Sequence, residues 1–94
     1  MAKKVENDKG FLIIEMDYLE AVKIALFGFD GTIICDQCND VIDEECYYIA
    51  VLNQALCKNC CDDFISKYER HEEDIAYEKR HYNFYAEKLE LETV

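Results

Sequence analysis

The sequence predicts a small α+β domain, and three observations carry that expectation. The chain has 94 residues, enough for one domain and too few for two. Short β-favouring runs occupy its first two-thirds, and a long stretch free of helix breakers occupies the rest. Hydrophobic residues make up 51% of the chain, far more than an acidic disordered tail would carry. A chain this size buries only roughly two-thirds of its unfolded surface, so an internal staple would help it fold.

Residues 1–10 (MAKKVENDKG) are charged and are expected to form a flexible leader, with residues 11–94 as one domain. Phe11–Ile14 is β-favouring and predicts a short strand. Asp17 and Glu20 have the spacing of a capping box. Leu19, Val22 and Leu26 then share a helical face, with Gly28 as a stop, so 17–27 is assigned to helix. Val22, Ile24 and Leu26 also fit strand alternation, and that alternative stays open. Asp30-Gly31 marks a turn, and Thr32–Ile34 a short strand. Cys46–Val51 (CYYIAV) reads as a strand, 52–54 as a turn, and 55–57 as the antiparallel return.

From Asn59 onward no glycine or proline interrupts the chain. Positions 61, 64, 68, 71, 75, 78, 82, 85 and 89 recur in steps of three and four, predicting an amphipathic helix over about 59–91. Such a helix would be about 45 Å long. Its distal end must fold back as a hairpin or pack on a second copy, so a homodimer through this helix is one expectation.

The sharpest motif is Cys35-Asp-Gln-Cys38, then eighteen residues, then Cys57-Lys-Asn-Cys60. Two cysteines three apart can both turn inward from one tight knuckle, and two such pairs complete a tetrahedron of thiolates. The expected cofactor is one structural Zn²⁺ held by Cys35, Cys38, Cys57 and Cys60. Four protein ligands leave no position for a water, which argues against hydrolysis. Cys61 is an alternative to Cys60, though the C-x2-C reach favours Cys60. Cys46 is read as a small buried hydrophobe. A knuckle, a hairpin and a helix carrying the last ligands form a treble-clef arrangement over about 33–66.

Other motifs fail on inspection. Phe29-Asp30-Gly31-Thr32-Ile33 resembles the first motif of haloacid-dehalogenase-like phosphatases, but Gly28 stands at the nucleophile's position. His71-Glu72 would open an H-E-x-x-H motif, yet residue 75 is Ile. A thioredoxin-like redox role for Cys57–Cys60 lacks the βαβ pattern it would need. No catalytic constellation remains, so a non-enzymatic binding protein is expected.

The chain carries 21 acidic and 10 basic residues, for a net charge of -11. Between Lys23 and Lys58 there is no basic residue, while Asp30, Asp36, Asp40, Asp43, Glu44 and Glu45 are all acidic. That surface repels a phosphate backbone, so direct nucleic-acid binding is disfavoured. The apolar stretch near the N-terminus is too short for a signal peptide or a membrane span, and a cytoplasmic location is expected.

The cysteine pattern resembles treble-clef four-cysteine zinc modules, including GATA-type fingers, whose DNA-binding basic residues this chain lacks. It is also similar to small phage zinc-finger proteins and to Gin-type anti-sigma factors. The latter likeness rests on Ile34-Cys35, Cys57–Cys60 and the Tyr82–Leu89 stretch. Two functions follow as expectations. One is an acidic inhibitor of a basic nucleic-acid-handling protein, as phage anti-CRISPR proteins are, acting through Asp36, Asp40, Asp43, Glu44 and Glu45 with aromatic anchors. The other is a Gin-like regulator that binds its partner through Tyr82 and Tyr85.

Overall fold

A computed structural model of the chain describes residues 2–24, 33–42 and 44–94. Its centre is a four-stranded antiparallel sheet in the order β1-β2-β3-β4, formed by Lys3–Lys4, Ile13–Met16, Cys46–Ile49 and Gln54–Leu56. Helix α1 (Tyr18–Lys23) follows β2, and α2 (Lys58–Lys67) follows β4. A single 3-10 turn at Glu72–Asp74 leads into α3 (Ile75–Lys88). The protein is therefore a small α+β domain.

β2 and β3 are the interior of the sheet, and their composition explains why. Ile13, Ile14, Met16, Tyr48 and Ile49 are all at most 1% exposed, so both faces of the central pair are covered. Their register sets Ile14 opposite Tyr48 and Met16 opposite Cys46. The β3–β4 hairpin forms where a strand, turn and return were expected, but its first strand ends at Ile49 and its turn falls at 50–53, earlier than the expected 52–54, with Tyr47 opposite Leu56. Asn53 takes φ 55° in that turn, a left-handed conformation that asparagine tolerates, and accepts a hydrogen bond from the Tyr48 hydroxyl.

The capping box at the start of α1 is present in full. The Asp17 carboxylate accepts from the Glu20 N–H, and the Glu20 carboxylate accepts from the Asp17 N–H. That settles helix over strand for Tyr18–Lys23. The expected continuation to 27, the Gly28 stop, the Asp30-Gly31 turn and Thr32 lie outside the described residues. Ile34 forms a bridge to Val41.

Two expectations are corrected. The supposed flexible leader supplies an edge strand: Lys3 pairs with Glu15, Lys4 with Ile14, and Ala2 is buried. Charge misleads here because an edge strand needs to bury only part of its surface, and exposed lysines suit such an edge. The single helix over 59–91 is two helices. Tyr68 (ψ 148°) and His71 (ψ 140°) are extended, so the chain breaks between α2 and α3 and folds back. The molecule's longest dimension is 37 Å, which a helix of about 45 Å would exceed.

Tertiary contacts set that break. Arg70 turns inward to the Glu78 carboxylate, donating from Nε at 2.9 Å and Nη2 at 2.8 Å. Glu78 is 1% exposed and also accepts from the Leu12 N–H at 2.9 Å. One buried acid thus ties α3 to the chain before β2 and to the segment after α2. Tyr85 of α3 also meets Tyr48 edge-on at 4.5 Å. Phe64 of α2 packs on Phe11 at 4.7 Å.

Candidate metal centre

The four cysteines of the two C-x2-C pairs converge. Their Sγ atoms all lie within 4.8 Å of one another, and Cys38 and Cys57 are 3.9 Å apart. Sulfurs at the corners of a zinc tetrahedron with bonds of about 2.3 Å stand about 3.8 Å from each other. The donor set therefore fits a tetrahedral thiophilic ion, with only slight contraction needed.

Local structure places each ligand. Residues 33–42 turn back on themselves: Ile42 N–H donates to Ile33, Cys35 N–H to Asp40, and Asn39 N–H to Cys35. Asn39 adopts φ 65°, the left-handed step that closes the knuckle directly after Cys38. Asp36 clamps the knuckle to β4. Its N–H donates to the Ala55 carbonyl and its carboxylate accepts from the Ala55 N–H, both at 2.9 Å. Cys57 is the N-cap residue of α2, yet its side chain makes no cap hydrogen bond and is left for the cluster. Cys60 follows in the first turn of the same helix.

The electrostatics suit a shared cation. Burial pushes the Cys35 thiol up, but hydrogen bonds from the backbone of Cys38, Cys57 and Gln37 outweigh it and bring it down to about 6. Cys60 is pushed up by burial and by the adjacent sulfurs of Cys57, Cys35 and Cys38. Cys38 is also raised: the Asp40 backbone favours its thiolate, but Cys35, slight burial and Cys57 outweigh that. One thiolate forms readily and the next is resisted by its neighbours. A divalent ion held by Cys35, Cys38, Cys57 and Cys60 would offset that resistance and favour the thiolate form of each.

Cys61 lies outside the cluster. It is 1% exposed, and burial first, then Asp62, pushes its thiol up to about 12. Cys46 is fully buried in β3 and is likewise pushed up to about 12, mainly by burial. Both behave as small hydrophobes.

The expected partner-contact residues divide. Asp40, Glu44 and Glu45 are exposed near the knuckle, and Asp40 accepts a long contact of 3.7 Å from the Cys38 thiol. Asp36 belongs to the scaffold through its clamp on Ala55. Asp43 lies outside the described residues. Tyr82 is 1% exposed, so it is a core residue and not an anchor for a partner. Tyr85 is half-buried against Tyr48 and Phe84. These two members of the stripe are thus used within the protein's own fold. Sequence reasoning missed the Asp36 clamp and the Arg70–Glu78 pair, because their partners are 19 and 8 residues away in no recognisable motif.

These features define a small α+β domain with four cysteines positioned to bind a metal ion. No protein-family model matches the chain, and no curated protein and no solved structure matches it either. Among the described residues no helix is long and apolar enough to cross a membrane.

Proposed function

We propose that this protein is a zinc-stabilised, acidic protein-interaction module of treble-clef type whose target is a basic, nucleic-acid-handling protein. The observation that carries the reading is the four-cysteine cluster set beside an exposed acidic knuckle. Bound zinc supplies folding energy and holds the knuckle against α2; the closed thiolate set leaves no position for a substrate. Four thiolates around one Zn²⁺ add two negative charges to a chain already at -11. Asp40, Glu44 and Glu45 project from this region with no ion pair among the described residues. A Lys- or Arg-rich groove is the complementary surface. The inhibitor would occupy that groove in place of a phosphate backbone.

The Gin-like alternative has less support, since one of its two anchors, Tyr82, is buried.

The test starts from proteins retained by the zinc-loaded chain in nuclease-treated lysate. Affinity for the retained partner is then measured against salt and against the triple variant Asp40→Asn/Glu44→Gln/Glu45→Gln. The expected result is a loss of about tenfold or more in each case. Affinity indifferent to both would defeat the charge-complementarity mechanism.

A further inference from the structure

The break between α2 and α3 opens a groove at the end of α2 remote from the cysteines, about 15 Å away along the helix. Its volume is about 810 Å³. The floor is aromatic: Phe64 is buried, and Tyr68, 47% exposed, stacks on it at 4.9 Å with the rings 23° from parallel. Tyr77, 40% exposed, also lines the groove. Glu69, Glu73 and Asp74 line the same groove.

Acids outnumber bases here, three carboxylates to two lysines, and the lysines have partners of their own: Lys9 donates to the Tyr68 carbonyl at 2.8 Å. Lys67 pairs with Asp63 at 3.1 Å, and Arg70 turns away to the buried Glu78. Among the described residues Glu69, Glu73 and Asp74 make no ion pair. An exposed tyrosine face in a groove that also holds three carboxylates without ion pairs is complementary to one kind of side chain. A guanidinium is flat, stacks on aromatic rings and pairs with carboxylates through two parallel hydrogen bonds.

We propose that this groove is a binding site for an arginine side chain of a partner protein, stacked on Tyr68 and paired with the Glu69/Glu73/Asp74 carboxylates. The site deepens the reading of a basic partner, and it lies apart from the acidic knuckle. Arginine is favoured over lysine because the groove offers a flat ring face as well as charge. The groove is open to solvent, and Phe11, Val51 and Leu52 line it together with the aromatic rings.

The test uses the full chain loaded with zinc and the peptide acetyl-Gly-Arg-Gly-Arg-Gly-amide as probe, followed by two-dimensional amide NMR. The expected result is shifts at residues 67–77, absent with the same peptide carrying citrulline. The lysine peptide should bind more weakly. Tyr68→Leu, which keeps bulk without a ring, should weaken binding about fivefold. The isosteric double variant Glu73→Gln/Asp74→Asn, at an N-cap whose side chain makes no cap hydrogen bond, should do the same.

Shifts confined to Asp40, Glu44 and Glu45 would overturn the groove proposal while leaving the acidic-knuckle reading standing. Groove shifts unchanged by both variants, or spermidine binding more tightly than the arginine peptide, would also overturn it. A partner that needs the groove but is indifferent to the knuckle triple variant would separate the two in the opposite direction.

Discussion

Cys60 and Cys61 are neighbours with different fates, and the helix explains the difference. Successive residues on a helix point about 100° apart, so only one of the pair can face the knuckle. Cys60 joins Cys35, Cys38 and Cys57, while Cys61 packs into the core. Native mass spectrometry should therefore find no bound metal in Cys60→Ser and one ion per chain in Cys61→Ser. The reverse pattern would transfer the ligand role to Cys61. Glu78 makes a second residue-level case. It is buried, and its oxygens accept from Leu12 and Arg70. Removing it leaves a buried N–H and a half-buried guanidinium without their acceptor. Glu78→Ala should cost about 2–4 kcal/mol in chemical denaturation, well above an ordinary surface substitution. A loss under about 0.5 kcal/mol would show that water replaces the carboxylate at little cost.

Among the elements, the sheet contains a lateral ladder of polar side chains. Lys3, Glu15 and Tyr47 are register partners on β1, β2 and β3. Tyr47 donates to Glu15 at 2.7 Å, and Lys3 approaches it at 3.4 Å. The Tyr47 hydroxyl, ahead of the Lys3 ammonium, holds the Glu15 carboxyl below its ordinary 4.5. A lowered folded-state value means the contribution is complete above about pH 4.5 and fades as pH falls through that lower value. Tyr47→Phe should thus be destabilised relative to the parent at neutral pH, and the gap should narrow on acidification. A gap that stays constant from pH 7 to acid would assign the loss to packing instead. The helices offer a contrast. The α1 start is written locally in Asp17 and Glu20, whereas the α2–α3 break has no local signal at all. Lys9 donates to the Tyr68 carbonyl at 2.8 Å, and Arg70 reaches Glu78, so distant residues hold the extended segment.

Taken as one molecule, the domain has a hydrophobic centre around β2 and β3, with a metal-binding knuckle clamped to its outer strand. The outer edge of β4 is covered by Asp36, which both donates to and accepts from Ala55. Metal binding in comparable small modules contributes about 10–16 kcal/mol to folding. A strong chelator should therefore lower the thermal midpoint sharply, with loss of amide protection at 33–42 and 57–61, and added Zn²⁺ should restore both. An unchanged midpoint would mean that the core around Ile13, Ile14 and Tyr48 carries the fold alone.

The cysteine cluster, the hairpin and the capping box were all readable from residue spacing, because each is built from short motifs whose own residues lie close together. Two C-x2-C pairs need only a turn and a hairpin between them to meet. The sequence alone also determined the acidic surface, since charge is a property of composition. Tertiary structure decided the rest. Lys3–Lys4 became a strand only because Glu15 and Ile14 offered it a partner. The periodic stretch after Asn59 had no glycine or proline to stop it, yet it divides where Arg70 can satisfy a buried Glu78. That division turns Tyr82 into the core and leaves Tyr68 exposed above an acidic groove. Helical periodicity identifies which residues share a face, but only packing against a particular sheet decides which of those faces water still reaches.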